Sequence, residues 1–285
     1  MPSSTPFKTY GIRAMALLAG LILAAGCGKE GPSTLEDAQK SLAIQQFDDA
    51  LAHFDNVSKT TADDNTRAMA LYGMGQVWQH RRPGEDFDRA RKLYRQVLEE
   101  LPDTDVAPTV HLALARSWEL DYQNPDLEKA RTLYREIVET RQGAEAATRA
   151  KLRLAMSYIE EMSGDSAARG AEMLEEWVEE NPESTYRAAV YLVLGRVYLY
   201  PLEDEQKALR ALLKADEIGI YSYSLNADLY YRIADIAHYA FEEPRVEIAR
   251  KYYNKLRTEH EDDPRGFIAK KRLVELENAS QGSTP

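Results

Sequence analysis

Cysteine is almost absent from this sequence: Cys27 is the single one among 285 residues. One cysteine excludes an internal disulfide and any metal or iron–sulfur site that needs several thiolates. Positive charge is also in deficit, because 36 Lys and Arg stand against 47 Asp and Glu, for a net charge of −11. Nucleic acid is bound by displacing its counterions with positive charge, so this composition disfavours a nucleic-acid partner.

Motifs for catalysis are missing as well. The five histidines include no pair four residues apart, and the sequence contains no HExxH or GxxxxGK motif and no nucleophile elbow. Acidic pairs such as Glu99-Glu100 are typical of solvated helix ends. We therefore predict that the chain is not an enzyme and that it uses neither a metal nor a cofactor.

Long hydrophobic runs are limited to one segment near the N-terminus. Residues 14–25 (AMALLAGLILAA) form an apolar run of 12 residues, whereas a membrane-spanning helix needs about 20. The run follows a polar segment that contains Lys8 and Arg13 and no acidic residue, as in secretory signal peptides. It ends at Ala24-Ala25-Gly26-Cys27. Small residues before a cysteine resemble the lipobox of bacterial lipoproteins, and an ordinary small-x-small cleavage site is the alternative.

The position of the only cysteine favours the lipoprotein interpretation. We predict a signal peptide over residues 1–26, followed by a lipidated Cys27 and a short linker that together cover 27–32. The resemblance implies sorting to the periplasmic face of the outer membrane, because Gly28 rather than Asp follows the cysteine. A linker of five residues reaches at most about 17 Å, so we expect the folded part to lie near the bilayer and its partner to be membrane-associated.

The remainder of the sequence repeats every 40 residues. Small residues recur at Gly75, Ala115, Ala155 and Gly195, with aromatic residues three positions later at Trp78, Trp118, Tyr158 and Tyr198. A second set recurs at Ala50, Ala90, Ala130 and Gly170, followed by Phe54, Tyr94, Tyr134 and Leu174. Both spacings are helical, and Pro or Gly separates them, so each unit is predicted to be a helix pair. One pair buries too little apolar surface to offset the entropy of ordering it, so the pairs must stack.

The order of these residues resembles the tetratricopeptide repeat (TPR). Leu/Met-Gly/Ala-x-x-Trp/Tyr is followed by Ala-x-x-x-Tyr/Phe, whereas HEAT-type repeats match the period but lack the second pattern. The resemblance implies an all-α fold: a right-handed α-solenoid of about six TPR-like helix pairs with a C-terminal capping helix. The predicted units are 33–60, 65–102, 106–142, 145–182, 184–218 and 225–263, with a cap over 265–278 and a flexible tail over 279–285. Ser33 and Glu36 predict a capping box at the first helix.

In TPR arrays the first helices line a concave groove, and the small-residue column sets the register of its positions. The groove residues carried over in this way are Tyr72, Gln76, Gln79, Arg116, Glu119, Met156, Arg196, Tyr231, Asp235 and His238. The groove also includes Leu112, Leu152 and Leu192, which form either an apolar stripe for a ligand or core between the units. Such a groove suits an extended or helical peptide, whose carboxylates or carbonyls the two arginines would hold.

Tyrosines concentrate near the C-terminal end of the repeats. Tyr221 and Tyr223 lie in residues 218–224 (IGIYSYS), which we predict to be a loop between units. Tyrosine is enriched at binding hot spots, so these two residues are a possible contact patch.

Taken together, the lipobox and the repeats resemble TPR lipoproteins of outer-membrane assembly. The resemblance implies a membrane-anchored scaffold that binds a protein or peptide partner. A lipoprotein of the pilus or secretion pilotin type is the alternative. A glycan- or small-ligand-capturing lipoprotein is disfavoured, because the predicted loops are short.

Overall fold

The fold was described from a computed structural model, which covers residues 33–81, 83–140 and 145–282. These residues form thirteen α-helices and no β-strand, so the predicted all-α fold is confirmed. None of the described helices combines the length and the apolar character that crossing a membrane requires. The predicted signal peptide, Cys27 and the linker lie outside the described residues and stay predictions.

The chain divides between Val110 and His111 into two compact units. The helices of the first unit are α1 (Leu35–Ala43), α2 (Phe47–Thr60), α3 (Asp64–His80), α4 (Phe87–Glu100) and the start of α5 (Ala107–Glu119). The second unit contains the rest of α5, then α6 (Leu127–Thr140), α7 (Glu145–Ile159), α8 (Gly164–Glu180), α9 (Arg187–Leu199), α10 (Glu205–Ile218), α11 (Tyr223–Tyr239), α12 (Val246–Glu259) and α13 (Pro264–Gly282).

Each predicted repeat corresponds to one helix pair. The predicted repeat 65–102 contains α3 and α4, for example, and 145–182 contains α7 and α8, and the two helices of both these pairs pack together. The ends of the array differ more from the prediction. Helix α11 begins at Tyr223, before the predicted repeat, and α13 continues to Gly282, so residues 279–282 are helical rather than part of a tail.

Helix starts are fixed by capping side chains. The side chains of Asp63, Asp86, Ser163, Asp204 and Ser222 each accept a hydrogen bond from a backbone N–H of the first turn.

The capping box at α1 lies one residue later than predicted. The Thr34 hydroxyl accepts from the backbone N–H of Asp37 at 3.1 Å, and the Asp37 carboxylate accepts from the N–H of Thr34 at 3.0 Å. Ser33 lies instead 2.9 Å from Nδ1 of His53, on α2. The Ser33–Glu36 prediction was therefore wrong, because tertiary contact with α2 engages the first hydroxyl of the segment.

Small residues in the helices make room for large side chains of the partner helix. A Cβ added to Gly75 would lie 2.3 Å from Cε1 of Tyr94, and one added to Gly195 would lie 2.4 Å from Cδ2 of Leu212. Such distances are well below van der Waals contact, so a side chain at either position would have to displace the large side chain packed there.

Two buried arginines lie 40 residues apart on second helices. Arg91 and Arg131 are each 3% exposed. The Arg131 guanidinium donates to the hydroxyl and the carbonyl of Ser157 and forms ion pairs with Glu128 and Glu161. Charged residues are rarely buried unless they are paired, and the sequence pattern gave no sign of these two.

Candidate partner-binding groove

The predicted groove positions of two first helices come together in the second unit. Leu112 and Arg116 of α5 and Leu152 and Met156 of α7 line one cleft of about 360 Å³. The other lining residues are Arg149, Arg153, Leu174, Tyr186, Ala189, Val190 and Val193. We call this cleft the arginine cleft, because three of its lining side chains are guanidiniums.

A second cleft continues from the arginine cleft. It has a volume of about 190 Å³ and is lined by Met156, Ile159, Glu160, Met162, Val193, Arg196, Val197, Tyr200 and Pro201. Because Met156 and Val193 line both clefts, the two form one continuous surface, which we call the α5–α9 groove. Arg116 and Arg196, the two arginines that the register predicted, therefore lie on the same groove.

The helical period of α7 explains which side chains reach this groove. Arg149, Arg153 and Met156 are spaced at i, i+4 and i+7 and share one face of the helix. Leu154 and Tyr158 lie on the other side, where both are buried. The same helix therefore presents one face to the core and another to the groove.

The charge in the arginine cleft is of one sign. No carboxylate lines it, and the nearest ion pairs are long: Arg153 to Glu119 at 3.5 Å and Arg149 to Glu145 at 3.7 Å. Arg116 is half-buried and forms no ion pair among the described residues, and its Nε is buried without a hydrogen-bond partner. The cleft thus combines an apolar floor with positive charge that the protein neutralises only in part.

Glu119 is held by a buried tyrosine. The Tyr134 hydroxyl donates a short hydrogen bond to Oε2 of Glu119, and the Glu119 side chain is only 9% exposed. Burial, and next the charge of Glu119, raises the pKa of Tyr134 far above its ordinary value, so the hydroxyl remains a neutral donor. Glu119, predicted as a groove residue, is therefore committed to a structural hydrogen bond.

The predicted groove residues on α3 lie in the first unit. Gln79 is 5% exposed and accepts a hydrogen bond from the Tyr94 hydroxyl at 3.0 Å, so it is a core residue rather than a contact residue. Tyr72 and Gln76, whose side chains are 3.0 Å apart, line a separate cleft of about 300 Å³ together with Met69.

The predicted groove residues on α11 meet the capping helix. Helix α13 packs against α11 and α12. Burial, and next the positive charge of Arg272 on α13, lowers the pKa of His238. Burial raises the pKa of Tyr231, and the neighbouring Asp235 adds to this effect. None of these three residues lines the α5–α9 groove.

The leucine stripe divides between the two interpretations left open by the sequence. Leu112 is 5% exposed and packs in the core around Ala130 and Tyr134, yet it also lines the arginine cleft. Leu152 lines the cleft and is partly buried. Leu192 packs against the core and does not line the groove.

Both tyrosines of the predicted contact patch are exposed, Tyr223 to 56%. Tyr221 is fully exposed, in the segment between α10 and α11. Tyr223 is the first residue of α11 rather than a loop residue, and its ring lies 4.3 Å from the buried ring of His260. The loop prediction for residue 223 was therefore wrong, because the Ser222 hydroxyl caps a helix at that point.

Sequence reasoning missed Arg149 and Arg153. The carry-over from the repeat family used one set of register positions for each first helix, and neither residue belongs to it. A search for arginines four residues apart on a first helix would have found them. Among the described residues, no group of three or more His, Cys, Asp or Glu is placed to hold a metal ion.

Comparison with known proteins supports the repeat assignment. Residues 68–104, which span most of α3 and all of α4, match the family model of the tetratricopeptide repeat. The solved structure of PilW, described as a widely conserved type IV pilus biogenesis factor, is 13% identical, with a TM-score of 0.56 over 81% of this chain and 93% of that chain. A tetratricopeptide repeat protein from Parabacteroides merdae is 16% identical, with a TM-score of 0.48 over 85% and 82% of the two chains.

No curated protein matches the sequence. At these low identities, similarity to a solved structure shows the fold alone. The match to the family model identifies a tetratricopeptide repeat at residues 68–104, and the other described residues form similar helix pairs.

Proposed function

We propose that this protein is a membrane-anchored TPR scaffold that binds a protein or peptide partner at the periplasmic face of the outer membrane. The observation that carries the binding part is the α5–α9 groove, an apolar surface with a half-buried arginine, Arg116, that has no ion-pair partner. Concave apolar surfaces with a few convergent polar groups are typical binding sites. The fold itself is typical of non-catalytic interaction scaffolds.

The membrane part of the proposal rests on the N-terminal sequence. A basic segment, an apolar run of 12 residues and small residues before Cys27 support export and lipidation. Two or more acyl chains are needed for a stable anchor, and the modified cysteine of a bacterial lipoprotein supplies them. Only Gly28 to Pro32 separate this cysteine from the described residues, which favours a partner at the membrane.

The process that the scaffold serves is proposed to be envelope or outer-membrane assembly. A second candidate is a pilotin-like role in pilus assembly or secretion. It is favoured by the fold similarity to PilW, which is described as a pilus biogenesis factor. Fold similarity is an analogy and does not fix function, so the partner must decide between the two.

Partner capture from membranes tests the proposal. The full chain is expressed in its own host with a C-terminal tag and purified from detergent-solubilised membranes, in parallel with the double variant Arg116→Ala/Arg196→Ala. If the scaffold serves outer-membrane assembly, we expect the wild-type chain to capture barrel-assembly components. If it has a pilotin-like role, we expect it to capture secretin subunits. In either case the double variant should no longer capture them.

A matched control separates binding from folding. Arg135 on α6 is exposed and lies outside both clefts, so Arg135→Ala should capture the partner as the wild type does. The double variant should keep the wild-type thermal midpoint. Parallel loss of capture and thermal stability would show that the groove arginines are structural and would contradict the binding proposal.

The anchor is tested separately by mass spectrometry of the mature N-terminus. We expect a diacylglyceryl thioether and an amide-linked acyl chain on Cys27, and release of Cys27→Ser from the membrane fraction. An unmodified cysteine or cleavage elsewhere would remove the lipoprotein part of the proposal and leave the scaffold part standing.

A further inference from the structure

We propose that the α5–α9 groove selects an acidic partner segment. A carboxylate side chain of the partner binds among Arg116, Arg149 and Arg153, and an adjacent aliphatic or aromatic side chain packs on Met156 and Val193. This inference rests on the proposed function and specifies the chemistry of the partner, which the repeat register left open between carboxylates and carbonyls.

The arginine cleft is positively charged, although the chain as a whole is negatively charged. The protein has a net charge of −11, yet three guanidiniums and no carboxylate line the arginine cleft. The remaining lining residues are apolar or tyrosine. A positive site with low-dielectric walls concentrates its field on whatever enters it, and the complementary occupant is negatively charged.

The second argument is the unpaired state of Arg116. Its Nε is buried and makes no hydrogen bond, while Leu112 and Leu152 line the same cleft. A buried donor without an acceptor is costly, and an uncompensated cation more so. A backbone carbonyl would satisfy one N–H and leave the charge in place, whereas a carboxylate satisfies the donor and neutralises the cation. We therefore assign a carboxylate rather than a carbonyl to this position.

The third argument is that the protein's own acids do not compete strongly for the site. Oε2 of Glu119 is bound by the Tyr134 hydroxyl, and its Oε1 reaches Arg153 only at a long 3.5 Å. Glu145 is 85% exposed and lies 3.7 Å from an Arg149 side chain that is 47% exposed. Ion pairs this exposed contribute little, so Arg149 can exchange Glu145 for a ligand carboxylate at small cost.

The two clefts also give the ligand a direction. Beyond Met156 and Val193, the second cleft contains both Arg196 and Glu160, so a charged side chain there meets both signs. The preference for an acidic side chain therefore comes from the arginine cleft, at the α5–α7 end of the groove. The predicted segment has its acidic residue over Arg116 and Arg153 and its apolar residue over the shared floor.

Selection from a random library tests this inference without assuming a sequence. A displayed library of random dodecapeptides is selected on the purified full chain, and enriched peptides are synthesised and titrated by fluorescence anisotropy. We expect enrichment of Asp or Glu beside a large apolar residue. Changing that acid to its amide in the peptide should weaken binding by about tenfold or more, as expected for loss of a charge-assisted hydrogen bond in an apolar cleft.

Variants of the protein locate the effect. Arg116→Gln, Arg149→Gln and Arg153→Gln should each weaken binding of the acidic peptide, whereas Arg135→Gln removes the same charge from an exposed position of α6 and should leave binding unchanged. The amide peptide should be insensitive to Arg116→Gln, because the interaction is already lost. If a cleft variant fails to fold, the acid-to-amide comparison on the wild-type chain still decides the question.

The outcomes separate this inference from the proposed function. Enriched peptides that are basic or uncharged, or whose binding survives both the amide exchange and Arg116→Gln, would overturn the acidic assignment and leave peptide binding by the groove intact. No enrichment of any peptide would contradict groove binding itself, and the acidic assignment would fall with it.

Discussion

At the scale of single residues, Gly170 on α8 packs directly against the backbone of α7. A Cβ at this position would lie 2.7 Å from the carbonyl oxygen of Ala155 and 2.6 Å from Cγ1 of Ile159. The side chain could adjust, but the backbone oxygen of α7 cannot move without separating the two helices. The close approach of α7 and α8 therefore depends on the absence of a side chain at residue 170.

Gly170→Ala is accordingly expected to destabilise the protein. Overpacking costs about 1–3 kcal/mol, which exceeds the gain of about 1 kcal/mol that alanine brings to a helix interior. Gly164→Ala at the start of the same helix is the control, because no atom lies within 4 Å of an added Cβ there. Thermal unfolding of the two variants should show a lower midpoint for the first and an unchanged or higher midpoint for the second. Equal midpoints would contradict the contact.

Arg131 is a second position where one residue type is required. Its fork reaches the hydroxyl and the carbonyl of Ser157 while also pairing with Glu128 and Glu161. Lysine presents a single point charge and cannot serve acceptors in all these directions. Arg131→Lys should therefore lower the free energy of unfolding by about 1–3 kcal/mol, the cost of leaving a buried acceptor unpaired.

The matched comparison for this prediction is Arg135→Lys. Arg135 lies on the same helix as Arg131, but its side chain is exposed. Exposed charges contribute at most about 1 kcal/mol, so this variant should lose less. Urea unfolding of both variants measures the difference, and an equal or larger loss at Arg135 would count against the explanation.

The role of a single residue could be predicted from the sequence where the same type of residue recurs at the same position of successive repeats. Gly75 and Gly195 could be assigned to close helix contacts because a small residue recurs there at every unit. The burial of Arg131 could not be predicted in this way, since a charged residue on a helix is ordinarily solvated. Its burial depends on Ser157, 26 residues away, and a sequence pattern carries no information on that contact.

At the scale of elements, the start of α13 is held by a small network of charges. The Asp263 carboxylate accepts from the backbone N–H of Arg265 at 2.9 Å and from its Nε at 2.8 Å. Arg265 also donates to Asp228 on α11 at 3.0 Å. These hydrogen bonds, above all those of the Arg265 side chain, lower the pKa of Asp263 to about 2. The capping helix is thus fixed to α11 through one arginine.

Asp263→Asn is expected to destabilise the protein in a pH-dependent way. The native pKa lies below the unfolded value of about 3.9, so the ionised carboxylate stabilises the fold above that value, and the contribution is lost as the pH falls towards 2. Unfolding in urea between pH 3 and pH 7 should show a constant deficit for the variant above about pH 4.5 and a narrowing deficit below it. A deficit that does not change with pH would mean that the carboxylate is not linked to stability.

Elements were predictable in their interiors and less so at their ends. Apolar spacing marks the face that each helix buries, and the strict period of 40 residues holds for the units up to Gly195, whereas the last two units drift in spacing. The ends depend on hydrogen bonds to other elements: Ser33 contacts α2 through His53 instead of capping α1, and Ser222 starts α11 inside a segment predicted to be a loop. Propensity and spacing alone do not choose between neighbouring hydroxyls as a cap.

At the scale of the whole molecule, the groove could be predicted in position but not in extent. Register placed Arg116, Met156 and Arg196 on one surface, as the structure has them. It also assigned His238, where α13 lies against α11. A repeat pattern predicts which side chains of each helix pair face the groove. It does not predict which of them another segment of the chain, such as α13, packs against.

Net charge sets a further property of the whole molecule. The chain carries −11, while the arginine cleft is positive, so an acidic ligand is repelled at long range and attracted at short range. The screening length decides whether the long-range repulsion or the short-range attraction dominates. This length is about 30 Å at 0.01 M salt, about 8 Å at 0.15 M and about 3 Å at 1 M. Salt should therefore act on association and dissociation in different concentration ranges.

We predict that the association rate of an acidic peptide rises between 10 and 150 mM NaCl (about threefold or more), because screening removes the repulsion of the whole chain before it reaches the cleft. Above this range the dissociation rate should rise, because the contacts with Arg116 and Arg153 become screened in turn. Stopped-flow fluorescence with a labelled peptide measures both rates, and the amide form of the same peptide is the control, with a smaller salt dependence in each. An association rate that falls steadily from 10 mM upward would mean that the field of the cleft, rather than the net charge, governs the approach of the ligand.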